Sequence, residues 1–332
     1  MNMTVRRADW CHEQGFRSML PVVRLDADLA KKARRNVLTS GAAAAFPFSS
    51  YELCDDTGVL LGINLHNNSA VIVDNYDTDQ YSNGSFAMFG MTGAGKTFTT
   101  LLFALRLRMR GVLVFIVAPE KGFEYRTACE AIGGQYLRIA PGSADCINLM
   151  EIRRTTLDID SNMTDNVQRS DSVLLDKVQD IHTYLRLRYP EMTPEESYQL
   201  NIALLECYES FGITKDNASL LKPDGSFKEM PDFAHLYPFL LKVPVLKNVA
   251  LSVKELIDFG MGGQTNVDLT SSFIVFDTSG NKQRDISSST FIATSFIRDE
   301  ASRSRTRKKA VIGDELWLIA GNEGNEQAAD FV

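Results

Sequence analysis

The spacing of apolar residues divides the chain into strand-like and helix-like stretches. Two β-branched runs, 58–65 and 70–76, flank a polar turn and predict a β-hairpin. The apolar stretch 85–90 has the pattern of a buried strand ending in glycine, and 97–110 has helical spacing. The continuous apolar run 112–117 is typical of a parallel strand covered on both faces. Strand, helix and strand together predict a right-handed βαβ unit.

A long helical block interrupts this strand pattern. From about 153 to 262 the apolar periodicity is helical, and Thr-Pro-Glu-Glu at 193–196 predicts a capping box with proline in the first helical position. Strand patterns resume at 273–276 and 310–313. The sequence therefore predicts an α/β protein whose mostly parallel sheet is interrupted by an all-α subdomain.

Composition narrows the class of protein. The 332 residues are 44% hydrophobic and 23% charged, which excludes wholesale disorder. The net charge of −7 excludes nucleic-acid binding by bulk charge, so any such contact needs a local basic patch. Five cysteines without CxxC spacing argue against a disulfide framework and a zinc site, and they fit a reducing compartment. No apolar run approaches the ~18 residues of a membrane span.

The strongest chemical signal is the segment 90–97, GMTGAGKT, which matches GxxxxGK[ST] between a predicted strand and a predicted helix. Glycines let backbone N–H groups surround a phosphate, and the helix N-terminus adds partial positive charge. Lys96 supplies a cation for the β- and γ-phosphates of ATP, and the Thr97 hydroxyl reaches Mg²⁺. The candidate ATP-binding residues are Gly90, Thr92, Gly93, Ala94, Gly95, Lys96, Thr97 and Phe98. The alternative is a chance glycine-rich turn.

A second acidic motif follows the predicted strand 310–313. Asp314 is the candidate second Mg²⁺ ligand beside Thr97, and Glu315 is the candidate that polarises the attacking water. Lys96, Asp314 and Glu315 are therefore the predicted catalytic residues. An ordinary loop start is the alternative interpretation of the Asp-Glu pair. A large insertion must separate the two motifs, and the helical block fills that position.

Weaker candidates lie after other strands. Glu120 follows the strand 112–117, where open α/β sheets place ligand-facing residues, although a capped loop explains it equally well. Gln283 and Arg284 are candidates for contact with phosphate or a neighbouring subunit. The basic run 303–309 is either a solvated helix end or a patch that faces DNA or a partner.

With these motifs in place, the sequence resembles the large ATPase of type IV secretion and conjugative-transfer systems, the fourth VirB component, also called TraC or TraE. The likeness covers most of 38–332 in the family's order. The stretches that carry it are 42–77, 114–125, 131–152, 192–196, 208–220, 229–237, 264–279 and 310–319.

The resemblance implies a RecA-like, HerA–FtsK-type motor core that hydrolyses ATP with Mg²⁺. It also implies a homo-oligomer, in many systems a hexamer, that is cytoplasmic and peripheral at the inner face of the cytoplasmic membrane. Other secretion-channel subunits are the implied partners, and DNA contact would be weak or indirect. The expected divisions are 1–37 (remnant of an N-terminal domain), 38–152 (first part of the core with its hairpin), 153–265 (all-α insertion) and 266–332 (second part of the core).

The chain also departs from the family pattern. Ala118 stands where many relatives have Asp before the Pro-Glu pair. The family's N-terminal domain, arginine-bearing helix and glutamine-ending strand are missing, so the chain is expected to be truncated at both ends and to hydrolyse ATP poorly. Two other functions stay open: a DNA translocase or coupling-type ATPase, and a subunit that binds nucleotide but is deficient in hydrolysis.

Overall fold

The computed structural model describes residues 9–21, 25–33, 38–44, 52–153, 172–267, 269–281, 283–303 and 307–315. The strands are β1 (Val59–Ile63), β2 (Ala70–Val73), β3 (Leu113–Ala118), β4 (Gln135–Arg138), β5 (Phe273–Asp277) and β6 (Lys309–Gly313). The helices are α1 (His12–Met19), α2 (Ala27–Ala33), α3 (Thr39–Ala44), α4 (Lys96–Met109), α5 (Phe123–Ala131), α6 (Val173–Arg188), α7 (Pro194–Ser210), α8 (Phe233–Leu241), α9 (Lys247–Asp258) and α10 (Gln283–Arg303).

The chain divides into two compact units. The smaller comprises 1–54 and 63–71 and contains the short helices α1, α2 and α3. No residue of α1 is buried, and its neighbour Cys11 accepts a hydrogen bond from Lys32 Nζ at 3.1 Å. The larger unit comprises 55–62 and 72–332 and contains the sheet and the candidate site. β1 and β2 form a two-stranded sheet, as the hairpin pattern predicted.

The central sheet has four parallel strands in the order β4-β5-β3-β6. All six residues of β3 are buried, because β3 has a strand on each side and helices on both faces. The strands predicted at 112–117, 273–276 and 310–313 are confirmed to within a residue. Parallel strands in register bring their carboxyl ends to one edge of the sheet, which is where the candidate site lies.

The strand predicted at 85–90 is wrong, and with it the predicted βαβ unit. This segment has no strand structure; it lines, together with 309–315, a cleft of about 910 Å³. Its backbone therefore lacks the neighbouring strand that a hydrogen-bonded ladder requires. Phe86 packs edge-on against the Phe103 ring of α4, with centroids 4.9 Å apart, whereas Phe89 is 92% exposed. Within the described sheet, β6 is consequently an edge strand.

Helices cover the sheet on two faces and complete an α/β sandwich. On one face, Phe103 and Leu107 of α4 share an apolar cluster with Val114 and Ile116 of β3. On the other face, Phe296 of α10 packs in a cluster that also contains the helical block. Alternate residues of β3 therefore face two separate cores, which fixes the position of each strand end.

The helical block, α6 to α9, lies in sequence between β4 and β5. Its predicted capping box is confirmed: Thr193 Oγ1 accepts from the Glu196 N–H at 3.2 Å, and the Glu196 carboxylate accepts from the Thr193 N–H at 2.8 Å. Ion pairs join α6 to α10, including a buried pair between Lys177 and Asp299 at 3.5 Å. Buried charges of this kind are tolerated only when paired, so α6 is held in one position against α10.

Candidate functional site

The glycine-rich segment makes a sharp turn into α4. Gly93 and Gly95 have φ of +81° and +87°, a left-handed conformation that favours glycine. A Cβ at either position would meet nothing within 4 Å, so the backbone conformation and not lack of space requires glycine there. α4 begins at Lys96 without a side-chain cap. The N–H groups of its first turn are thus available to an anionic ligand.

The side chain of Lys96 points back toward the start of the glycine-rich segment. Its Nζ donates to the carbonyl oxygen of Gly90 at 2.9 Å, and both residues line the cleft. Thr97 is half-buried, whereas Phe98 is 70% exposed. The predicted binding residues Thr92, Gly93, Ala94 and Gly95 form an exposed loop. The loop is thus accessible from solvent, and the ammonium group of Lys96 lies against it.

β6 delivers the acidic pair to the same cleft. The Asp314 N–H donates to the Val117 carbonyl at 3.0 Å, so the parallel ladder continues one residue beyond β6. Glu315 follows with φ of +52°, a sparsely populated conformation for a residue other than glycine. Asp314, Glu315, Lys96 and Gly90 all line the cleft. Residues far apart in sequence are thus brought together.

Sequence reasoning missed Tyr125. This side chain on α5 is fully buried, and its hydroxyl donates to Asp314 Oδ2 at 2.9 Å. Burial, and then the Asp314 carboxylate, raise the pKa of the Tyr125 hydroxyl, so it stays protonated and remains a donor. The periodicity of α5 marks Tyr125 only as an apolar core position. The sequence carries no signal that links it to a carboxylate 189 positions away.

Glu120 is not part of this cleft wall. It is exposed just beyond the end of β3 and does not line the cleft with Lys96 and Asp314. Its predicted role in ATP binding therefore stays a prediction from its position after the strand.

The basic run lies at the other end of β6 from Asp314. Arg307 donates to Ser272 Oγ at 2.8 Å, and Lys308 Nζ lies 4.9 Å from the Tyr76 ring centroid. Arg305 lies outside the described residues, as do the side chains of Gln283, Arg284 and Arg303. The described part of the basic run thus contacts the protein itself.

The oxygen donors near the cleft are of the kind that Mg²⁺ prefers. Asp314 lines the cleft with its carboxylate, whereas Thr97, the neighbour of Lys96, does not line it. Mg²⁺ takes a few hard oxygen ligands of this kind, completed by waters and substrate phosphates. Among the described residues, no three His, Cys, Asp or Glu side chains converge on a potential metal position.

The parallel sheet, its flanking helices and the glycine-rich loop define an α/β protein of the P-loop ATPase class, consistent with a RecA-like core. No family model and no curated protein matches the sequence. Among solved structures, VirB4 of Thermoanaerobacter pseudethanolicus matches with a TM-score of 0.68 and 25% identity, over 85% of this chain and 73% of that chain. The match confirms the resemblance found in the sequence: the chain has the fold of VirB4 and is similar to the VirB4-like ATPases of type IV secretion.

No helix in the described ranges combines the length and apolar character needed to cross a bilayer.

Proposed function

We propose that ATP and Mg²⁺ bind in the cleft between the 90–97 loop and β6, and that the chain hydrolyses ATP there as a motor subunit of type IV secretion. One observation carries this proposal. Lys96 of the glycine-rich loop and the Asp314-Glu315 pair line the same cleft, although most of the chain separates them in sequence. The VirB4-like fold supports the same function.

Each residue then has a chemical role. The loop N–H groups and Lys96 bind the phosphates, while Thr97 and Asp314 hold Mg²⁺, which when bound neutralises charge on the β- and γ-oxygens. Glu315, one residue beyond Asp314, accepts the proton of the attacking water. The exposed Phe98 and the 92–95 loop complete the nucleotide contacts, with Glu120 as the outermost candidate. Catalysis of this kind depends on positioning and charge and needs no covalent intermediate.

The VirB4 resemblance extends the proposal to assembly. We expect a homo-oligomer, with the hexamer of the resembled family as the reference, located at the inner face of the cytoplasmic membrane with other secretion-channel subunits. The resemblance supports the proposed oligomer, location and partners, whereas the cleft supports only the proposed nucleotide chemistry.

The replacement Lys96→Ala tests the nucleotide site. It removes the cation that faces the phosphates, and we expect it to abolish ATP binding while leaving the melting temperature unchanged. A fluorescent ATP analogue measures binding, and Lys215→Ala, an exposed lysine in the helical region, serves as control. Undiminished affinity in Lys96→Ala would show that the site lies elsewhere.

A parallel turnover assay separates the related functions. ATP binding with measurable hydrolysis supports the motor, whereas binding without hydrolysis indicates a nucleotide-binding subunit that is deficient in catalysis. Strong stimulation of turnover by DNA would instead indicate a DNA translocase.

A further inference from the structure

The ring of Tyr125 is fixed by the core of the larger unit. It belongs to the apolar cluster that contains Ile116 of β3 and Val275 of β5, and none of its surface is exposed. A buried tyrosine normally needs a partner for its hydroxyl. Here that partner is Asp314 Oδ2, at 2.9 Å. The position of the hydroxyl is therefore determined by packing and not by the carboxylate that it meets.

Asp314 is consequently held at two points. Its backbone N–H is bonded to the Val117 carbonyl at 3.0 Å, and its Oδ2 accepts from Tyr125. Within the described ranges, Oδ1 accepts no hydrogen bond. One carboxylate oxygen thus accepts a hydrogen bond from the protein, and the other can bind a ligand.

We infer that Tyr125 is a positioning residue, which orients the Asp314 carboxylate so that Oδ1 serves Mg²⁺ in the cleft. The inference rests on the proposed function, because it assigns Tyr125 a part in the same site. Side chains that bond to a metal-ligating carboxylate fix its orientation, and their loss typically costs about 10- to 100-fold in metal affinity. Tyr125 touches neither nucleotide nor metal and acts only through Asp314.

The same sheet contains a matched tyrosine–aspartate pair. Tyr136 of β4 donates its hydroxyl to Asp277 Oδ2 at the carboxyl end of β5. Asp277 is buried and does not line the cleft. Tyr136→Phe therefore makes the same chemical change as Tyr125→Phe, one hydroxyl lost from a tyrosine–carboxylate bond, at a pair that does not line the cleft.

The experiment compares Tyr125→Phe, Tyr136→Phe and the wild type. A fluorescent ATP analogue is titrated in EDTA and then at increasing Mg²⁺, which separates nucleotide affinity from its dependence on the metal. For Tyr125→Phe we expect affinity in EDTA within about twofold of wild type and a Mg²⁺ half-saturation raised roughly 10-fold. For Tyr136→Phe we expect the wild-type Mg²⁺ curve. Melting temperatures establish that both variants are folded.

A double replacement makes the test specific for the bond. In an Asp314→Asn background the Tyr125→Phe change should no longer affect the Mg²⁺ curve, because the oriented carboxylate is gone.

Two outcomes would overturn the inference about Tyr125 while leaving the proposed function intact. One is an unchanged Mg²⁺ curve in Tyr125→Phe. The other is an equal shift in Tyr136→Phe, which would indicate a general effect of losing a tyrosine–carboxylate bond. A wild-type chain that binds no nucleotide, or a Lys96→Ala variant that binds as well as wild type, would instead overturn the proposed function, and the inference with it.

Discussion

The helical block and the edge of the sheet beside the candidate site differ in how far their apolar side chains are exposed. In the block, α6 to α9, Leu204 of α7 and Val253 of α9 have no exposed surface. At the site edge, which comprises β6 and residues 83–98, Phe89 is 92%, Phe98 70% and Val311 57% exposed. The block buries many more of its large apolar side chains than it exposes, with exceptions such as Leu251 at 59% exposed, whereas the site edge exposes several of its own. Apolar residues thus produce a closely packed region in one place and a solvent-accessible surface in the other.

This difference implies that stability and nucleotide chemistry can be changed separately. Replacements in the block should lower the free energy of unfolding without altering the nucleotide site. Replacements around the candidate site should weaken nucleotide binding or turnover without changing the free energy of unfolding.

Leu204→Ala should destabilise the protein most. Leu204 is fully buried in the block, and truncation of such a leucine costs about 2–5 kcal/mol through lost burial and the cavity left behind. Chemical denaturation measures the loss, and Leu251→Ala on α9, at a position 59% exposed, is the control that should change little. A drop in ATP affinity of the folded Leu204→Ala protein would break the separation of the two regions.

Glu315→Gln should affect turnover without affecting stability. Glutamine keeps a polar side chain of the same size but cannot accept the proton of water, so the turnover number should fall by roughly 10²-fold, equivalent to about 2.7 kcal/mol. ATP binding and the melting temperature should stay at wild-type values. Glu130→Gln, an exposed position on α5, is the matched control. If binding collapsed while turnover per bound ATP persisted, Glu315 would be a ligand and not the base.

Thr193→Ala should have the smallest of these effects. It removes half of the capping box at the start of α7, which is worth about 1 kcal/mol. Thr183→Ala, at a half-buried position on α6, leaves the capping box of α7 intact and should cost less. ATP affinity should be the same in both variants, and any difference between them would link the cap to the site.

The sequence predicted most elements of the core because their patterns report burial directly. The continuous apolar run of β3 and the capping box of α7 are local signals, and both correspond to what the structure shows. The strand prediction for 85–90 failed, although the apolar pattern of this segment is typical of a strand. A strand also needs a neighbouring strand to pair with, and that neighbour is formed by residues far away in the chain. Local pattern is therefore a poor guide at the edge of a sheet.

The candidate site likewise contains residues that a local sequence pattern predicts and one that it does not. The loop around Lys96 and the Asp314-Glu315 pair are visible as motifs because their chemistry fixes residue type and spacing. Tyr125 is invisible, since its relevance comes from a hydrogen bond across the fold to Asp314. Positioning residues of this kind have no sequence signature, because any packed side chain with a donor at the right point would serve.

The pairing of β6 with β3 has a consequence for the order of folding. The rung that joins Val117 to Gly313 closes a long loop of the chain. The neighbouring Asp314 is held by its own N–H bond to Val117 and by the bond from Tyr125. Contacts between residues so distant in sequence form slowly, because the entropy of loop closure must be overcome first. We therefore expect the helical block, which contains many local contacts, to form before the strand pairing that places Asp314. A newly made chain would then acquire its helices before its complete nucleotide site.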